Sequence, residues 1–391
     1  MAHFRYLIIG GGMTADAAVR GIRELDADGS IGLIGAESDP PYNRPPLSKG
    51  LWKGKPVEKI FRKTADRNVE LFLGRSVQMI NPQEKSVLDN RNETFTYDKL
   101  LLATGGSPRK LPFGGDELIY FRTLDDYKNL RELCGKNRHF GIIGGGFIGS
   151  EIAAALNKSG EKVTMVFPEI GIGARLFPED LSLYINDYYR EKGVEVLAGK
   201  NVEDIKIQSG SYRLITDSDL QVVVDHVVAG IGIIPNISLA KSAGIQIDKG
   251  ILVNEMLQTS NADIYAAGDV AEIFQPDLGK RVVVEHEDNA NTMGQHAGRN
   301  MAGADEKYDH LSYFYSDLFD LGYEGVGKLD PGMEIVSDWQ EPFKKGVVYY
   351  LDGGKVRGVL LWNVWGKISE ASDLIREAGP FKAADLKNRL G

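Results

Sequence analysis

The chain of 391 residues contains one cysteine, Cys134. A lone thiol excludes both a disulfide framework and a CxxC redox pair within the chain. Long apolar runs are missing too: nothing approaches the about 20 residues that cross a bilayer as a helix. Positive charge is in short supply, with Lys+Arg 46 against Asp+Glu 55 and a net charge of −9. Such a surface repels nucleic acid as a whole, and no zinc-finger or RNA-binding pattern accompanies it. The N-terminal "MAHFRYLIIGGG" enters an apolar run at once. That leaves no room for a signal or transit peptide and makes the cytoplasm the expected compartment.

Glycine, in contrast, is abundant, with 46 residues. The apolar "FRYLII" runs into "GGGMTADAAVRGIREL", an Ala-rich helical pattern, and "GSIGLIGAES" follows as a second strand with Glu37 near its end. Strand, glycine turn, helix and strand make the first half of a doubly wound unit. The signature returns in "HFGIIGGGFIGSEIAAALNKSG" and "EKVTMVFPE", so a domain type is repeated within the chain. From about residue 312 the pattern changes. "KKGVVYYLDGGKVRGVLLWNVWG" reads as a hairpin turning at "DGG", and "ISEASDLIREAG" reads as an amphipathic helix. The expected fold is α/β: two doubly wound, Rossmann-like domains plus a C-terminal α+β domain.

The first glycine cradle is Gly10 and Gly12, with Ala15 in the third place; the second is complete as Gly144, Gly146 and Gly149. Such a cradle supplies a tight turn, a bare backbone against pyrophosphate and a helix N-terminus aimed at its charge. Glu37 and Glu169 stand at the distance from which a carboxylate takes a ribose hydroxyl. One motif is as well explained by turn glycines. Two in strand–turn–helix context point to two bound dinucleotides, and two such sites together can transfer a hydride. A resident flavin needs further anchors, and "ATGGSPR" (Ala103, Thr104, Gly105, Arg109) and "AAGDVAE" (Asp269) are candidates. Asp269 sits where a strand gives way to a helix; it can accept from ribityl hydroxyls or act as an N-cap.

The two cradles, "ATGGSPR", "YAAGDVAE" and "PYNRPPLSKGLW" together resemble the FAD-dependent pyridine-nucleotide reductases. Within them the likeness is to the ferredoxin reductase and apoptosis-inducing factor branch. "GGGFIGSE", "VVVEHEDNA", "FYSDLFDLGYEGVG" and "LWNVWGKISEASDLI" look more like apoptosis-inducing factor than like bacterial ferredoxin reductases. The resemblance implies FAD in a discontinuous domain of residues 1–115 and 246–311, NAD(P)H in residues 116–245, and a covering α+β domain in residues 312–391. Relatives that reduce disulfides carry a cysteine pair near the flavin, whereas this loop has Pro40, Pro41, Tyr42 and Asn43. Electrons are therefore expected to leave for an acceptor outside the chain.

By residue type alone, Lys49 is also read as a solvated loop cation and Glu151 as helix-end electrostatics. The resemblance implies instead that Lys49 lies at flavin N5, paired with Glu151, where a fixed ammonium stabilises the charge arriving with hydride. Arg44, Pro45 and Pro46 would shape the wall beside the isoalloxazine. Glu285 and His286 match residues near nicotinamide, and Tyr315 stands where the family usually has tryptophan. Trp52 and Trp365 are further stacking candidates, or packing residues. Glu169 argues for NADH, because a carboxylate repels a 2′-phosphate; Arg175 could soften that preference and leaves NADPH open. Between residues 44 and 67 the cations Arg44, Lys49, Lys53, Lys55, Lys59, Arg62, Lys63 and Arg67 face only Glu58 and Asp66. A basic rim there would steer a small acidic electron-transfer protein, a ferredoxin or rubredoxin; the alternative is a solvated lysine-rich face. Turnover with such an acceptor is the first expectation. The second is a redox sensor whose long-lived NADH complex controls partner binding. Neither a monomer nor a homodimer is favoured.

Overall fold

The computed structural model describes residues 2–208, 210–218 and 220–391. Contacts divide the chain into two compact units: residues 1–44, 56–107 and 234–312, and residues 45–55, 108–233 and 313–391. The proline-rich loop is thus split, with Arg44 in the first unit and Pro45–Lys55 in the second.

The first unit is built on strands β1 (Ala2–Ile9), β2 (Ile31–Gly35), β3 (Val69–Leu73), β4 (Val77–Asn81), β5 (Ser86–Asp89) and β6 (Thr94–Leu102) in the order β3-β2-β1-β6-β5-β4. The strand Ile264–Ala266 joins β6 in parallel. β1 pairs in parallel with β2 (Ile8 opposite Leu33) and with β6 (Ile8 opposite Leu101). Both faces of these central strands are covered, which is why they read as continuous apolar runs rather than alternating ones. Leu7, Ile8, Leu33, Leu100 and Leu101 have no exposed surface. Helix α1 (Met13–Leu25) packs on the helix Glu287–Met301 at close range. A Cβ on Gly298 would lie 2.0 Å from the Ala18 carbonyl oxygen, so only glycine permits that approach.

The second unit contains a parallel sheet of β7 (His139–Ile143), β8 (Lys162–Phe167), β9 (Glu195–Ala198) and β10 (His226–Ala229), in the order β9-β8-β7-β10. Helix α2 (Phe147–Lys158) follows β7. "VVVDHVVA" forms two strands: Gln221–Val224 belongs to an antiparallel sheet, Asp225 interrupts, and β10 lies in the parallel sheet. The Asp225 carboxylate accepts from the His139 backbone N–H at 2.8 Å, a bond that fixes the break.

Residues 313–391 supply β11 (Tyr313–Leu318), β12 (Leu321–Gly327), β13 (Glu334–Glu341), β14 (Lys345–Asp352) and β15 (Lys355–Trp362), an antiparallel sheet ordered β11-β12-β15-β14-β13. The "DGG" hairpin forms as the sequence suggests. Asp352 opposes Lys355, and Gly353 and Gly354 both take positive φ, 60° and 76°. That is the two-residue turn whose twist matches the strands. Helix α3 (Ile368–Arg376) buries Ala371, Leu374 and Ile375. Two doubly wound domains and a C-terminal α+β portion are therefore present, as the sequence predicts.

Candidate functional site

Both cradles adopt the conformation their glycines allow. Gly10 has φ +125° and Gly144 has φ +112°; a Cβ on either would lie within 2.0 and 2.4 Å of the carbonyl oxygens of Ala103 and Gly230. In the second cradle Gly149 brings α2 against the turn, for its Cβ would stand 2.1 Å from the Gly144 oxygen. The first cradle has Ala15 there, fully buried. Gly12 and Gly146, the N-cap residues of α1 and α2, differ from these. A Cβ at either meets no protein atom within 4 Å. Among the described residues no clash requires glycine at these two positions, whereas a ligand resting on the backbone would. The residues present therefore fit two dinucleotides.

In the first unit the candidate residues around the loop come together. The Glu37 carboxylate accepts from the Tyr42 hydroxyl at 2.5 Å and from the Arg44 guanidinium at 2.5 Å. Burial works against the charge on Arg44, but Tyr42, Glu37 and Asp269 outweigh it and hold the guanidinium above its ordinary pKa. Burial pushes His286 down to about 4, although Asp269 and Asp288 act in the opposite direction. Asp269 thus acts on both Arg44 and His286. It does not sit at the start of a long helix: Gly268–Val270 is a single 3-10 turn that passes directly into the strand Ala271–Gln275. Val270 closes the turn in the core, and the apolar Ala271 and Ile273 continue there as strand, which overrides the capping signal. The Ala103, Thr104 and Gly105 segment follows β6 and is tied down by Thr104, whose hydroxyl donates to the Asn236 carbonyl at 2.9 Å. Arg109 belongs to the other unit; it is exposed, and its backbone N–H donates to the Gly232 oxygen. Glu285 is likewise exposed.

In the second unit Lys49 and Glu151 meet. Lys49 Nζ stands 2.6 Å from Glu151 Oε1, with side-chain exposures of 14% and 3%. The ammonium also lies 5.4 Å from the Tyr315 ring centroid, within cation–π distance. Two further donors were not legible in the sequence: Ser48 Oγ donates to Glu151 Oε2 at 2.5 Å and Ser316 Oγ to Oε1 at 2.5 Å. Tyr189 and Tyr323 surround the same carboxylate, and burial, reinforced by Glu151, raises both phenols well above their ordinary pKa. Glu324 opposes Tyr315 in the strand register. One of its carboxylate oxygens is buried with no hydrogen-bond partner among the described residues, and burial raises its pKa. Only its place in "LGYEGVG" could have drawn attention to it.

At the second cradle Glu169 is engaged by Arg175, with Nε at 2.8 Å and Nη2 at 2.6 Å. Arg175 is 83% exposed and Glu169 25%, so the pair opens at little cost.

Three readings are sharpened or changed. Trp52 donates to the Leu47 carbonyl at 2.7 Å, meets Tyr127 edge-to-face and carries Arg131 over its ring, so it packs within its own unit. Cys134 is partly buried after the helix Leu124–Leu133, and burial raises its thiol pKa, which disfavours the reactive thiolate. The basic stretch is largely spent internally. Arg44 pairs with Glu37, Lys49 with Glu151, Lys53 with Asp317, and Arg62 and Arg67 with Asp16. Lys55, Lys59 and Lys63 remain exposed, without an ion pair among the described residues. Asp16, itself missed by the sequence reading, has no exposed side-chain surface. Burial would raise its carboxyl, but the Thr64 hydroxyl and Arg62 prevail and hold it below the usual range. It anchors residues 62–67 to the first turn of α1.

Parallel-sheet domains with glycine cradles and an antiparallel C-terminal sheet are shared with NAD(P)H-dependent flavoprotein reductases. The chain belongs to the pyridine nucleotide-disulphide oxidoreductase family, whose sequence model matches residues 4–294. The model of the apoptosis-inducing factor, mitochondrion-associated, C-terminal domain matches residues 297–341 and 336–377. Apoptosis-inducing factor 1, mitochondrial, of Dictyostelium discoideum is 35% identical over 416 residues, covering 95% of this chain and 78% of the relative. The 5,5'-dehydrodivanillate O-demethylase ferredoxin reductase subunit of Sphingobium sp. is 35% identical, covering 91% and 89%. The covalent putidaredoxin reductase–putidaredoxin complex contains a chain with TM-score 0.90 and 29% identity, covering 98% of this chain and 95% of that one. Ferredoxin reductases and apoptosis-inducing factors are thus both among the relatives. No helix among the described residues is long and apolar enough to cross a membrane.

Proposed function

We propose that the protein oxidises NADH and passes the electrons, through FAD, to a small iron–sulfur protein of the ferredoxin class. The observation that carries this reading is the buried Lys49–Glu151 pair beside Tyr315. A chain with a single cysteine has no thiol pair to take electrons from the flavin, so they leave for an acceptor outside the chain. Bound FAD supplies a site that takes two electrons from NADH and releases them one at a time. The protein's own residues do the rest. Gly10, Gly12 and the N-terminus of α1 hold its pyrophosphate, Glu37 takes a ribose hydroxyl while Tyr42 and Arg44 fix its rotamer, and Ala103, Thr104, Gly105 and Asp269 complete the anchorage. Gly144, Gly146, Gly149 and Glu169 hold NADH. Lys49 would supply positive charge against the negative charge that arrives with hydride, and His286, neutral at pH 7, would add none beside the FAD anchorage. In this reading residues 1–115 and 246–311 carry FAD, residues 116–245 carry NADH, and residues 312–391 form the covering domain. The basic rim adds less than the sequence count implies, so the acceptor class rests on the relatives that are ferredoxin reductases.

A second reading, a redox sensor that keeps its NADH complex and changes partner binding, is favoured by the C-terminal match to apoptosis-inducing factor over residues 297–377. The first requirement of both is composition. Heat-released cofactor should be FAD at about one per chain, and a colourless purified protein that gains no FAD on incubation would remove both readings.

Two further outcomes follow. Glu169→Ala is expected to narrow the NADH to NADPH preference in kcat/KM about tenfold, and Arg175→Ala to widen it, since the arginine is the group that can meet a 2′-phosphate. Unchanged ratios in both variants would discredit the assignment. His286 bears on stability. Its folded pKa of about 4 lies below the unfolded value of about 6.5, so between these limits the unfolded chain binds the extra proton. Stability falls as pH falls through this window, at up to ~1.4 kcal/mol per pH unit from this group. His286→Gln should flatten that slope in urea melts at pH 7, 6 and 5.

A further inference from the structure

We propose that Ser316 is a positioning residue that frees Lys49 to act, by covering Glu151 whenever the ammonium turns away from it. The inference rests on the functional reading above and extends it to a residue outside the cofactor cradles.

The Glu151 side chain is buried, and an ionised carboxylate there must be fully hydrogen-bonded. Its two oxygens are not equivalently served. Oε2 accepts from Ser48 at 2.5 Å, whereas Oε1 accepts from both Lys49 at 2.6 Å and Ser316 at 2.5 Å. Ser316 has no exposed surface and sits on β11, one residue after Tyr315, whose ring lies 5.4 Å from the same ammonium. The Tyr315 ring flanks the ammonium in its paired position, and Ser316 can keep Oε1 satisfied when Lys49 moves off it. Were Lys49 the only donor to Oε1, its departure would leave a buried oxygen bare, and the lysine would be locked. Hydride transfer from NADH brings two electrons and one proton's mass to the flavin and leaves NAD+, so one negative charge is added at the acceptor. A lysine that can turn toward it answers that charge; a locked one cannot. Ser48, on the other oxygen, does not perform this substitution. Burial raises Tyr189 and Tyr323 so far that both stay neutral, so they add no competing charge.

The test compares Ser316→Ala, Ser48→Ala and Ser316→Thr, all as purified holoprotein, with thermal melts to verify folding. The first readout is acylation of Lys49 by acetic anhydride at pH 8, followed by peptide mass spectrometry. A hydrogen bond to a charged group is worth about a factor of ten or more. Ser316→Ala should slow Lys49 acylation about tenfold, because the ammonium is then held on Glu151. The second readout is flavin reduction by NADH, which should slow about tenfold with KM within twofold of the parent. Ser48→Ala, on the other oxygen, should leave Lys49 acylation within about threefold of the parent, and Ser316→Thr, which keeps the hydroxyl, should restore both values. If Ser316→Ala does not fold, Ser316→Cys, a weak donor of similar size, carries the same comparison. A folded Ser316→Ala protein with parental acylation would overturn the proposal, as would equal effects from Ser48→Ala. Failure of the functional reading shows separately, as a parent protein whose flavin NADH does not reduce, while the acylation comparison still reports on Ser316.

Discussion

Replacing Lys49 by Met is expected to slow reduction of the flavin by NADH about a hundredfold while FAD remains bound. The magnitude is that of deleting one charged group that answers developing charge, typically 10²–10³ in rate. FAD retention follows because the proposed anchorage of that cofactor lies on Gly10, Gly12, Glu37 and Asp269. The same substitution leaves Glu151 buried without its cation. Breaking a buried pair costs about 3 kcal/mol at the lower end of the usual range, and the lower end applies here because Ser48 and Ser316 still donate to the carboxylate. Urea unfolding should register that loss, and Lys49→Met with Glu151→Gln should recover most of it without recovering the rate. Parental kinetics in Lys49→Met would remove the lysine from the mechanism.

The second large effect concerns Gly146. Gly146→Ala should leave the melting temperature within about 2 °C of the parent, since the added Cβ meets no protein atom within 4 Å. NADH affinity should nevertheless fall at least tenfold, because the methyl group occupies the space in which a pyrophosphate approaches the backbone. Gly149→Ala provides the contrast. Its Cβ would stand 2.1 Å from the Gly144 oxygen, so the turn and α2 must move apart. That overpacking costs about 1–3 kcal/mol and lowers stability and NADH binding together. Titration of both variants with NADH, alongside thermal melts, separates a ligand-driven glycine from a packing-driven one. An unimpaired Gly146→Ala would mean that the second cradle does not hold the dinucleotide.

Much of the architecture was legible because it depends on local pattern. Strand, glycine turn and helix are contiguous, so both cradles could be read from Gly10 and Gly144 outward. The hairpin was announced by Gly353 and Gly354, which need positive φ. The Lys49–Glu151 pair, more than a hundred residues apart in sequence, was legible only through the resemblance, since neither residue type carries a long-range signal. What escaped depends on tertiary contact alone. Ser316 and Ser48 are ordinary serines until a carboxylate is folded against them, Glu324 is an ordinary strand glutamate until its oxygen is buried, and Asp16 is a first-turn acid until Arg62 and Thr64 reach it. The charge count between Arg44 and Arg67 misled for the same reason: a tally cannot see that Arg62 and Arg67 point at Asp16. Asp269 shows a local signal overruled, because the apolar residues after it gain more as a buried strand than as a helix.

The central claim is that the chain turns over by delivering electrons to an external iron–sulfur acceptor. Double-mixing stopped-flow spectroscopy tests it directly: the anaerobic protein is mixed with one equivalent of NADH, then with an oxidised two-iron ferredoxin. The expected result is rapid bleaching of the flavin's visible absorption band, followed by its return within seconds as the ferredoxin is reduced. Slow bleaching with a long-wavelength charge-transfer band that persists after ferredoxin is added would contradict it and favour the sensor.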